Sequence, residues 1–265
     1  MERVIRIDKA NDRLVYVTQK ADQRYWEGLH GPLATMSTIE RGDRFVVEET
    51  RKYLSAGTRV IDVGCGTGAT VFGLQKAGFD AYGIDYDEKT VATIKSLFPK
   101  LNIQVADIRK IPFGEAYFNA VWSLGVIEHF YDGYVPIILE SKRVLRPGGY
   151  LFLTVPSISP LKKLKMWLGH YEEMRETDIE KFFQFAFHPK DTIKAVTSMG
   201  FTLIKSFGRS GSMGFYEDAS SLSKLFLLNP HSRGTLPRIM WRGADIALRK
   251  ISFHMKYFLF KRNGE

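Results

Sequence analysis

The chain has 265 residues, of which 45% are hydrophobic and 25% charged, and it carries a formal net charge of +9. These values fit a folded globular protein with one α/β domain plus additions, or with two small domains. The single cysteine, Cys65, excludes an internal disulfide and a multi-cysteine metal site, so we predict no metal and a reducing, cytoplasmic location. We predict no signal peptide and no membrane-spanning helix, because the sequence has no long uncharged apolar segment.

The first 54 residues are predicted to form an N-terminal lid or extension, residues 1–54. Two short strands are expected at residues 4–7 and 14–17, followed by a helix-prone aromatic segment around Tyr25. A helix is predicted over residues 40–54, because apolar side chains recur there at intervals of three and four.

Residues 58–156 alternate between predicted strands and helices. Short apolar runs end in glycine or aspartate, and the helical patterns that follow end at glycine or proline. Strands joined through helices run in the same direction, so the pattern predicts a parallel sheet covered on both faces. The predicted strands are 59–63, 80–85, 102–106, 118–124 and 150–155, and the predicted helices are 70–77, 88–97 and 135–145.

The regular alternation stops after Pro156. We interpret two irregular segments, at about residues 157–187 and 208–252, as insertions that form a substrate lid on the ligand side of the sheet. No strand is predicted at residues 157–183. The remaining predicted elements are a helix at 190–198, a sixth strand at 201–207, an irregular stretch at 208–236, an amphipathic helix at 236–251 and a seventh strand at 255–260.

A glycine-rich loop connects the first strand of the alternating region to its first helix. Its glycines, Gly64, Gly66 and Gly68, allow a sharp turn and bring main-chain amides at the helix N-terminus close to a ligand. The loop also fits the dinucleotide pattern G-x-G-x-x-A, with Ala69 in the last position. Taken alone, it leaves a nicotinamide dinucleotide, another nucleotide cofactor and simple helix packing all open.

Three aspartates lie at the carboxyl ends of consecutive predicted strands. Asp62 precedes the loop, where a carboxylate suits an ammonium group better than a pyrophosphate. Asp85 stands where an acid accepts hydrogen bonds from ribose hydroxyls, and Asp107, with the amide of Ile108, can meet an adenine edge. Each acid could instead cap a helix or form a turn. Because these strand ends share one crevice, the three together predict a ligand with ribose, adenine and a cationic amine.

Five segments of this region carry a resemblance to a known family. The sequence resembles the class I S-adenosylmethionine (SAM)-dependent methyltransferases, specifically their small-molecule group. The similarity covers about residues 55–208, and residues 256–262 resemble the terminal antiparallel strand of the family. The matching segments are VIDVGCGTG (60–68), YGID (82–85), ADIRKIPF (106–113), FNAVWSLGVIEHF (118–130) and LRPGGYLFLTVP (145–156).

The resemblance implies a three-layer Rossmann-like fold within residues 55–265. Its sheet would have seven mostly parallel strands with an antiparallel last strand, plus helical lid insertions. It also implies which residues bind SAM and release S-adenosylhomocysteine. The methionine part would be held by Asp62, Gly64, Cys65, Gly66 and Gly68, the ribose by Asp85 with Tyr86, the adenine by Asp107 and Ile108, the region near the sulfonium by Ser123 and Leu124, and the SAM carboxylate by Tyr25.

The acceptor is less defined than the methyl donor. His129 is the candidate general base for a hydroxyl or acidic carbon acceptor, although it could be a structural histidine. His30 and His188 are weaker candidates. The aromatic residues of the two predicted insertions suggest a small, partly apolar acceptor, for example a lipid-like molecule. Residues 123–126 read Ser-Leu-Gly-Val, which is not the motif of base-amino methyltransferases, so nucleic acid is disfavoured.

The basic C-terminal region does not indicate which kind of partner it contacts. Residues 222–265 contain nine Lys or Arg against two Asp or Glu, which would suit peripheral contact with an acidic membrane or simply a solvated helix face. Two other functions also stay open, an NAD(P)-dependent oxidoreductase that uses the same loop and a SAM-binding protein without catalysis. The oligomeric state is not predicted.

Overall fold

The computed structural model describes residues 4–18, 20–218, 243 and 245–264. Short 3-10 turns occur at Gly31–Leu33, Ile127–His129 and Glu176–Lys181. The strands are β1 (Val4–Asp8), β2 (Arg13–Val17), β3 (Arg59–Val63), β4 (Asp80–Asp85), β5 (Ile103–Val105), β6 (Phe118–Leu124), β7 (Leu145–Pro156), β8 (Glu172–Glu173), β9 (Phe182–Ala186), β10 (Phe201–Arg209) and β11 (Met255–Arg262). The helices are α1 (Gln23–His30), α2 (Met36–Arg41), α3 (Arg44–Arg51), α4 (Ala69–Lys76), α5 (Glu88–Leu97), α6 (Val135–Val144), α7 (Pro160–Trp167), α8 (Pro189–Ser198) and α9 (Gly211–Asp218).

The main sheet has seven strands in the order β10-β11-β7-β6-β3-β4-β5. It is mostly parallel, with antiparallel pairing only towards its end, which confirms the predicted Rossmann-like α/β class. Strand β3 pairs in parallel with β4 on one side and with β6 on the other. The loop that follows β3 therefore leaves the sheet from its interior, between two neighbouring strand ends.

The core of this sheet is apolar and aromatic. Strands β3 and β6 are buried because each is covered on both faces, as continuous apolar runs require. Trp122 stacks on Phe152 with ring centroids 4.2 Å apart. Its indole Nε1 donates a hydrogen bond of 3.0 Å to the hydroxyl of Thr50, so the one polar atom of this buried ring is satisfied.

The chain divides into two compact units. One unit comprises residues 20–153, 196–204 and 259–265, and it contains helices α1 to α6. The other comprises residues 1–19, 154–195 and 205–258 and contains a four-stranded sheet in the order β8-β1-β2-β9. The predicted domain boundary after residue 54 stays a prediction.

The prediction that residues 157–183 contain no strand is wrong. Strand β8 lies within that segment, and β9 begins at its end and pairs with β2 in antiparallel register, Leu14 opposite Ala186. All five residues of β9 are buried. Its partner is far away in the sequence, so no local hairpin signal marks this strand.

Two further elements differ from the prediction. The single helix expected at 40–54 is divided into α2 and α3 by Gly42, which has a φ of +61°; Asp43 then caps α3 by accepting a hydrogen bond from the amide of Val46. The stretch at 208–236, expected to be irregular, contains α9. Residues 219–236 of that stretch, and half of the amphipathic helix predicted at 236–251, lie outside the described residues.

Candidate active site

The glycine loop after β3 has the backbone conformation that the sequence suggested. Gly64, Gly66 and Gly68 have φ values of +76°, +48° and +76°, in the region that side chains disfavour. A Cβ at Gly64 would lie 2.7 Å from Val126 Cγ2, and one at Gly68 would lie 2.7 Å from Ile103 Cδ1. Glycine is therefore required at both positions by conformation and by space.

Asp85 ties the end of β4 to this loop. Its Oδ2 accepts a hydrogen bond of 2.8 Å from the amide of Gly66, and its Oδ1 accepts one of 3.0 Å from the amide of Asp87. A carboxylate can accept about four hydrogen bonds, so capacity is left for hydroxyl groups of a ligand. The side chain thus fixes the loop and keeps free acceptor positions.

Asp62 is a polar group of the site whose hydrogen-bonding capacity is only partly satisfied. The residue is buried, and its Oδ1 has no hydrogen-bond partner among the described residues. Burial, with smaller contributions from the negative charges of Asp43 and Asp85, raises the pKa of Asp62 to about 8, although a hydrogen bond from Thr70 acts the other way. A buried carboxyl without a cation beside it fits a ligand that brings an ammonium group.

Glu128 is a second buried carboxyl, located in the 3-10 turn after β6. Burial raises its pKa to about 8, and its Oε2 has no hydrogen-bond partner in the described part of the chain. Unlike Asp62, it is not among the residues that line the cavity described below.

These two carboxyls predict how stability depends on pH. Both keep a proton in the folded chain up to about pH 8, whereas the unfolded chain loses these protons near about pH 4. The folded state therefore binds more protons between these limits, and its stability falls as the pH rises. Each carboxyl contributes a slope of about 1.4 kcal/mol per pH unit. Urea unfolding of the ligand-free protein from about pH 5 to about pH 8 measures this slope.

Variants of Asp62 and Glu128 test whether these two carboxyls cause the fall in stability with pH. Asp62→Asn and Glu128→Gln should each make the dependence shallower, because neither amide titrates. Asp107→Asn is the control. A hydrogen bond from Arg109 holds the pKa of Asp107 below its usual range, so the effect of Asp107 on the pH dependence of stability falls below the pH range of this measurement. An unchanged slope in both amide variants contradicts the assignment.

A cavity of about 420 Å³ opens beside the glycine loop, a volume within the usual range for cofactor sites. Ten of the residues predicted from the sequence line it. They are Asp62, Gly64, Cys65, Gly66, Asp85, Tyr86, Asp107, Ile108, Leu124 and His129.

Three predicted residues are not among those that line the cavity. Gly68 is the N-cap of α4, and Ser123 is buried with its hydroxyl unpartnered among the described residues. Tyr25 contacts Trp26 edge to face, with ring centroids 4.9 Å apart, and it is Trp26 that lines the cavity.

Cys65 is buried, and burial raises the pKa of its thiol, so it is unsuited to act as a nucleophile.

Several lining residues were not predicted to be part of the cofactor site, although His30 was considered as a weaker candidate base. Trp26 and His30 come from α1, with ring centroids 5.3 Å apart, and Trp26 also meets His129 edge to face at 4.8 Å. Their spacing of four places them on one helix face, which is the signal that was available. Val126 and Phe130, after β6, complete the apolar part of the wall.

His30 lies directly against the glycine loop. Its ring atom Cε1 is 3.1 Å from the position of a Cβ at Gly66. Burial lowers the pKa of His30, and the nearby carboxylates of Asp85 and Asp87 oppose that shift. Its Nδ1 is buried without a hydrogen-bond partner among the described residues. This histidine, first considered a weak candidate, therefore belongs to the cavity wall.

The third aspartate is already engaged. Both carboxylate oxygens of Asp107 accept hydrogen bonds from the guanidinium of Arg109, at distances from 2.6 to 3.0 Å. Arg109 also lies over the ring of Phe130, 5.6 Å from its centroid. The carboxylate of Asp107 thus orients Arg109 at the cavity edge.

Two features are absent from the described residues, a metal site and a membrane-spanning helix. No group of three or more His, Cys, Asp and Glu side chains could hold a metal ion. No helix in the described ranges has the length and apolar character needed to cross a membrane.

Comparison with known proteins gives a matched domain that contains the cavity residues from Asp62 to Phe130. A family model described as "Methyltransferase domain" matches residues 61–153. A Mycolicibacterium smegmatis protein named "Probable S-adenosylmethionine-dependent methyltransferase" is 29% identical over 152 residues, which cover 56% of this chain and 59% of that protein. The 27-O-demethylrifamycin SV methyltransferase of Amycolatopsis mediterranei is 34% identical over 120 residues, which cover 41% of this chain and 44% of that protein. The matches thus span about half the length of these relatives.

A solved structure extends the likeness in fold to nearly the whole chain. The 1,6-didemethyltoxoflavin-N1-methyltransferase of Burkholderia thailandensis, with bound 1,6-didemethyltoxoflavin and S-adenosylhomocysteine, aligns with a TM-score of 0.57 and 12% identity. The alignment covers 98% of this chain and 99% of that chain. At this identity the likeness concerns the fold.

Proposed function

We propose that this chain, whose residues 61–153 match a methyltransferase domain, is a class I SAM-dependent methyltransferase that transfers the methyl group of SAM to an oxygen, nitrogen or carbon atom of a small acceptor. The observation that carries the proposal is the buried carboxyl of Asp62, whose Oδ1 has no hydrogen-bond partner among the described residues, beside a glycine loop and in one cavity with Asp85. This arrangement supports a ligand that joins an ammonium group to a ribose. A dinucleotide offers ribose but no ammonium group for Asp62.

We assign the parts of SAM to the cavity as follows. Asp62 and the loop from Gly64 to Gly68 bind the methionine part, with the ammonium group against the Asp62 carboxylate. Asp85, with Tyr86, binds the ribose hydroxyls. Because Arg109 occupies the Asp107 carboxylate, Ile108 is the better candidate for the adenine edge.

When bound, SAM supplies an electrophilic methyl group on a positively charged sulfur. The chain then has to align an acceptor atom with that methyl group and to keep water away. Trp26, Val126 and Phe130 give the cavity an apolar wall, which supports the exclusion of water. His129, on the same wall, can take a proton from a hydroxyl or an acidic carbon.

The ribose assignment predicts the effect of Asp85→Ala. This variant removes the acceptor of the ribose hydroxyls and leaves the amide of Gly66 without its partner, so SAM affinity should fall about 100-fold. Calorimetric titration with SAM measures the loss. Asp80→Ala, at the other end of β4, is the control and should bind SAM normally. If Asp85→Ala binds SAM as tightly as the unaltered chain, the ribose placement is incorrect.

If His129 is the general base, its substitution should change the rate of methyl transfer without changing SAM binding. His129→Ala should lower kcat by about 10²-fold or more on a hydroxyl or carbon acceptor, while the Kd for SAM changes little. His188→Ala is the matched control, because His188 pairs with Asp12 and does not line the cavity. Full activity of His129→Ala on an identified acceptor excludes His129 as the base.

The acceptor is proposed to be small and partly apolar. The aromatic composition of the predicted lid insertions supports an apolar body, and the A. mediterranei relative is named for a demethyl form of rifamycin SV. We propose a cytoplasmic location, which suits a chain with one buried thiol.

The acceptor proposal is tested by transfer of tritiated methyl from SAM into fractions of a cell lysate. Label in a small, organic-extractable product supports the proposal, and SAM binding without any labelled product supports a non-catalytic SAM-binding protein instead.

A further inference from the structure

Three large apolar side chains are exposed together on α7 and the residue after it. Leu164, Trp167 and Leu168 are 49%, 80% and 53% exposed. Their spacing of three and four places them on one side of the helix, and we call this group the α7 face. An exposed tryptophan between two exposed leucines is unusual for a surface that meets only water.

A second segment extends this apolar surface. Ile246 and Ile251 are 65% and 52% exposed. The amide of Leu161, in the first turn of α7, donates a hydrogen bond of 3.0 Å to the carbonyl of Ile251. The two segments are therefore neighbours within the same compact unit.

The charged residues within the two segments are cations, although carboxylates flank both in the sequence: Asp245 precedes Ile246 and pairs with Arg249, and Glu172 and Glu173 follow α7. Residues 160–170 contain three lysines and no Asp or Glu, and residues 246–258 contain three Lys or Arg and no Asp or Glu. Lys163 and Lys250 are exposed beside the apolar side chains. Apolar side chains with two exposed lysines beside them complement an anionic surface.

The other two lysines of α7 hold the helix in place. Lys162 is buried and pairs with Asp218, with Nζ 3.1 Å from Oδ1. Lys165 donates a hydrogen bond of 2.9 Å from its Nζ to the carbonyl of Asp218. Because these contacts hold the inner side of α7, the opposite side with Leu164, Trp167 and Leu168 is left exposed.

We propose that the α7 face is a docking surface for an anionic lipid bilayer. The leucines enter the boundary between headgroups and acyl chains, the Trp167 ring lies at headgroup level, and Lys163 and Lys250 meet lipid phosphates. A protein partner would be expected to offer carboxylates at fixed positions, whereas lipid headgroups adapt to lysines on flexible stems. This proposal does not depend on methyl transfer, so the two can fail separately.

Flotation of the full chain with vesicles tests the proposal. Phosphatidylcholine vesicles that contain phosphatidylserine should carry the chain upwards, and the triple variant Leu164→Ser, Trp167→Ser, Leu168→Ser should bind them at least about tenfold more weakly. Leu139→Ser is the matched control, since Leu139 is a helical leucine of α6 with similar exposure, 47%. It should float like the unaltered chain. An unchanged melting temperature shows that the triple variant is folded.

The charge of the vesicle supplies the second test. Phosphatidylcholine alone should bind weakly, and each of Lys163→Gln and Lys250→Gln should weaken binding to the anionic vesicles about fivefold, the change that ~1 kcal/mol per lysine gives. The proposal is overturned by the absence of flotation with anionic vesicles, or by flotation that survives in the triple variant. It is equally overturned if the triple variant only dissociates an oligomer of the chain, because the face would then be an interface between copies.

Discussion

Asp62→Asn is expected to weaken SAM binding about 100-fold without lowering the thermal stability of the free protein at neutral pH. Burial raises the pKa of Asp62 to about 8, so its side chain is mostly neutral in the free protein at pH 7. Asparagine replaces one neutral group by another of nearly the same shape. The carboxylate is needed only when an ammonium group is bound, because the charge pair then offsets the cost of burial.

Proton release provides an independent measurement of the same event. The unaltered chain should release about one proton on binding SAM at pH 7, because Asp62 ionises beside the ammonium group. Calorimetry in buffers with different ionisation enthalpies counts this proton. The Asn variant should release almost none.

Glu128→Gln is the control for this experiment. Glu128 is equally buried and has a similarly raised pKa, but it does not line the cavity. Its substitution should change neither the SAM affinity nor the number of protons released on binding. Undiminished SAM binding by Asp62→Asn contradicts the proposed role of the carboxylate.

Gly64→Ala is expected to lower both stability and SAM affinity. An alanine at a φ of +76° is strained by ~1–2 kcal/mol. Its Cβ would also lie 2.7 Å from Val126 Cγ2, and such overpacking costs another ~1–3 kcal/mol. Since Val126 lines the cavity, its displacement should weaken SAM binding about tenfold or more.

Gly57→Ala separates strain from crowding. Gly57 has a φ of +81°, but a Cβ there would meet nothing within 4 Å. This variant should lose only about 1–2 kcal/mol of stability and should bind SAM normally. Urea unfolding and SAM titration of both variants test the comparison. If the two variants are equally stable and bind SAM equally well, crowding at Gly64 has no consequence.

The cavity was predictable where its residues follow one another along the chain. Asp62 and the glycines form a continuous motif, and Asp85 ends the next strand, so the order of strands in a parallel sheet is enough to bring them together. Trp26 and His30 could not be placed in the same way. They belong to α1, upstream of the alternating region, and only the tertiary fold brings them to the cavity.

The same distinction applies to the fold. The elements from β3 to α6 were predicted because their patterns are local and repeat regularly. Strand β9 was missed because its partner, β2, lies more than 160 residues earlier in the chain and the preceding segment has no alternating pattern. The break at Gly42 was missed because the apolar positions that predicted the helix, from Phe45 to Leu54, all lie after it and carry no information on where the helix begins.

Calorimetric titration of the unaltered chain with SAM, S-adenosylhomocysteine, NADH and NADPH tests the central claim most directly. The cavity around Asp62, the glycine loop and Asp85 predicts saturable binding of SAM and S-adenosylhomocysteine, with no binding of either nicotinamide cofactor. Saturable binding of NADH or NADPH, with no binding of SAM, would contradict it.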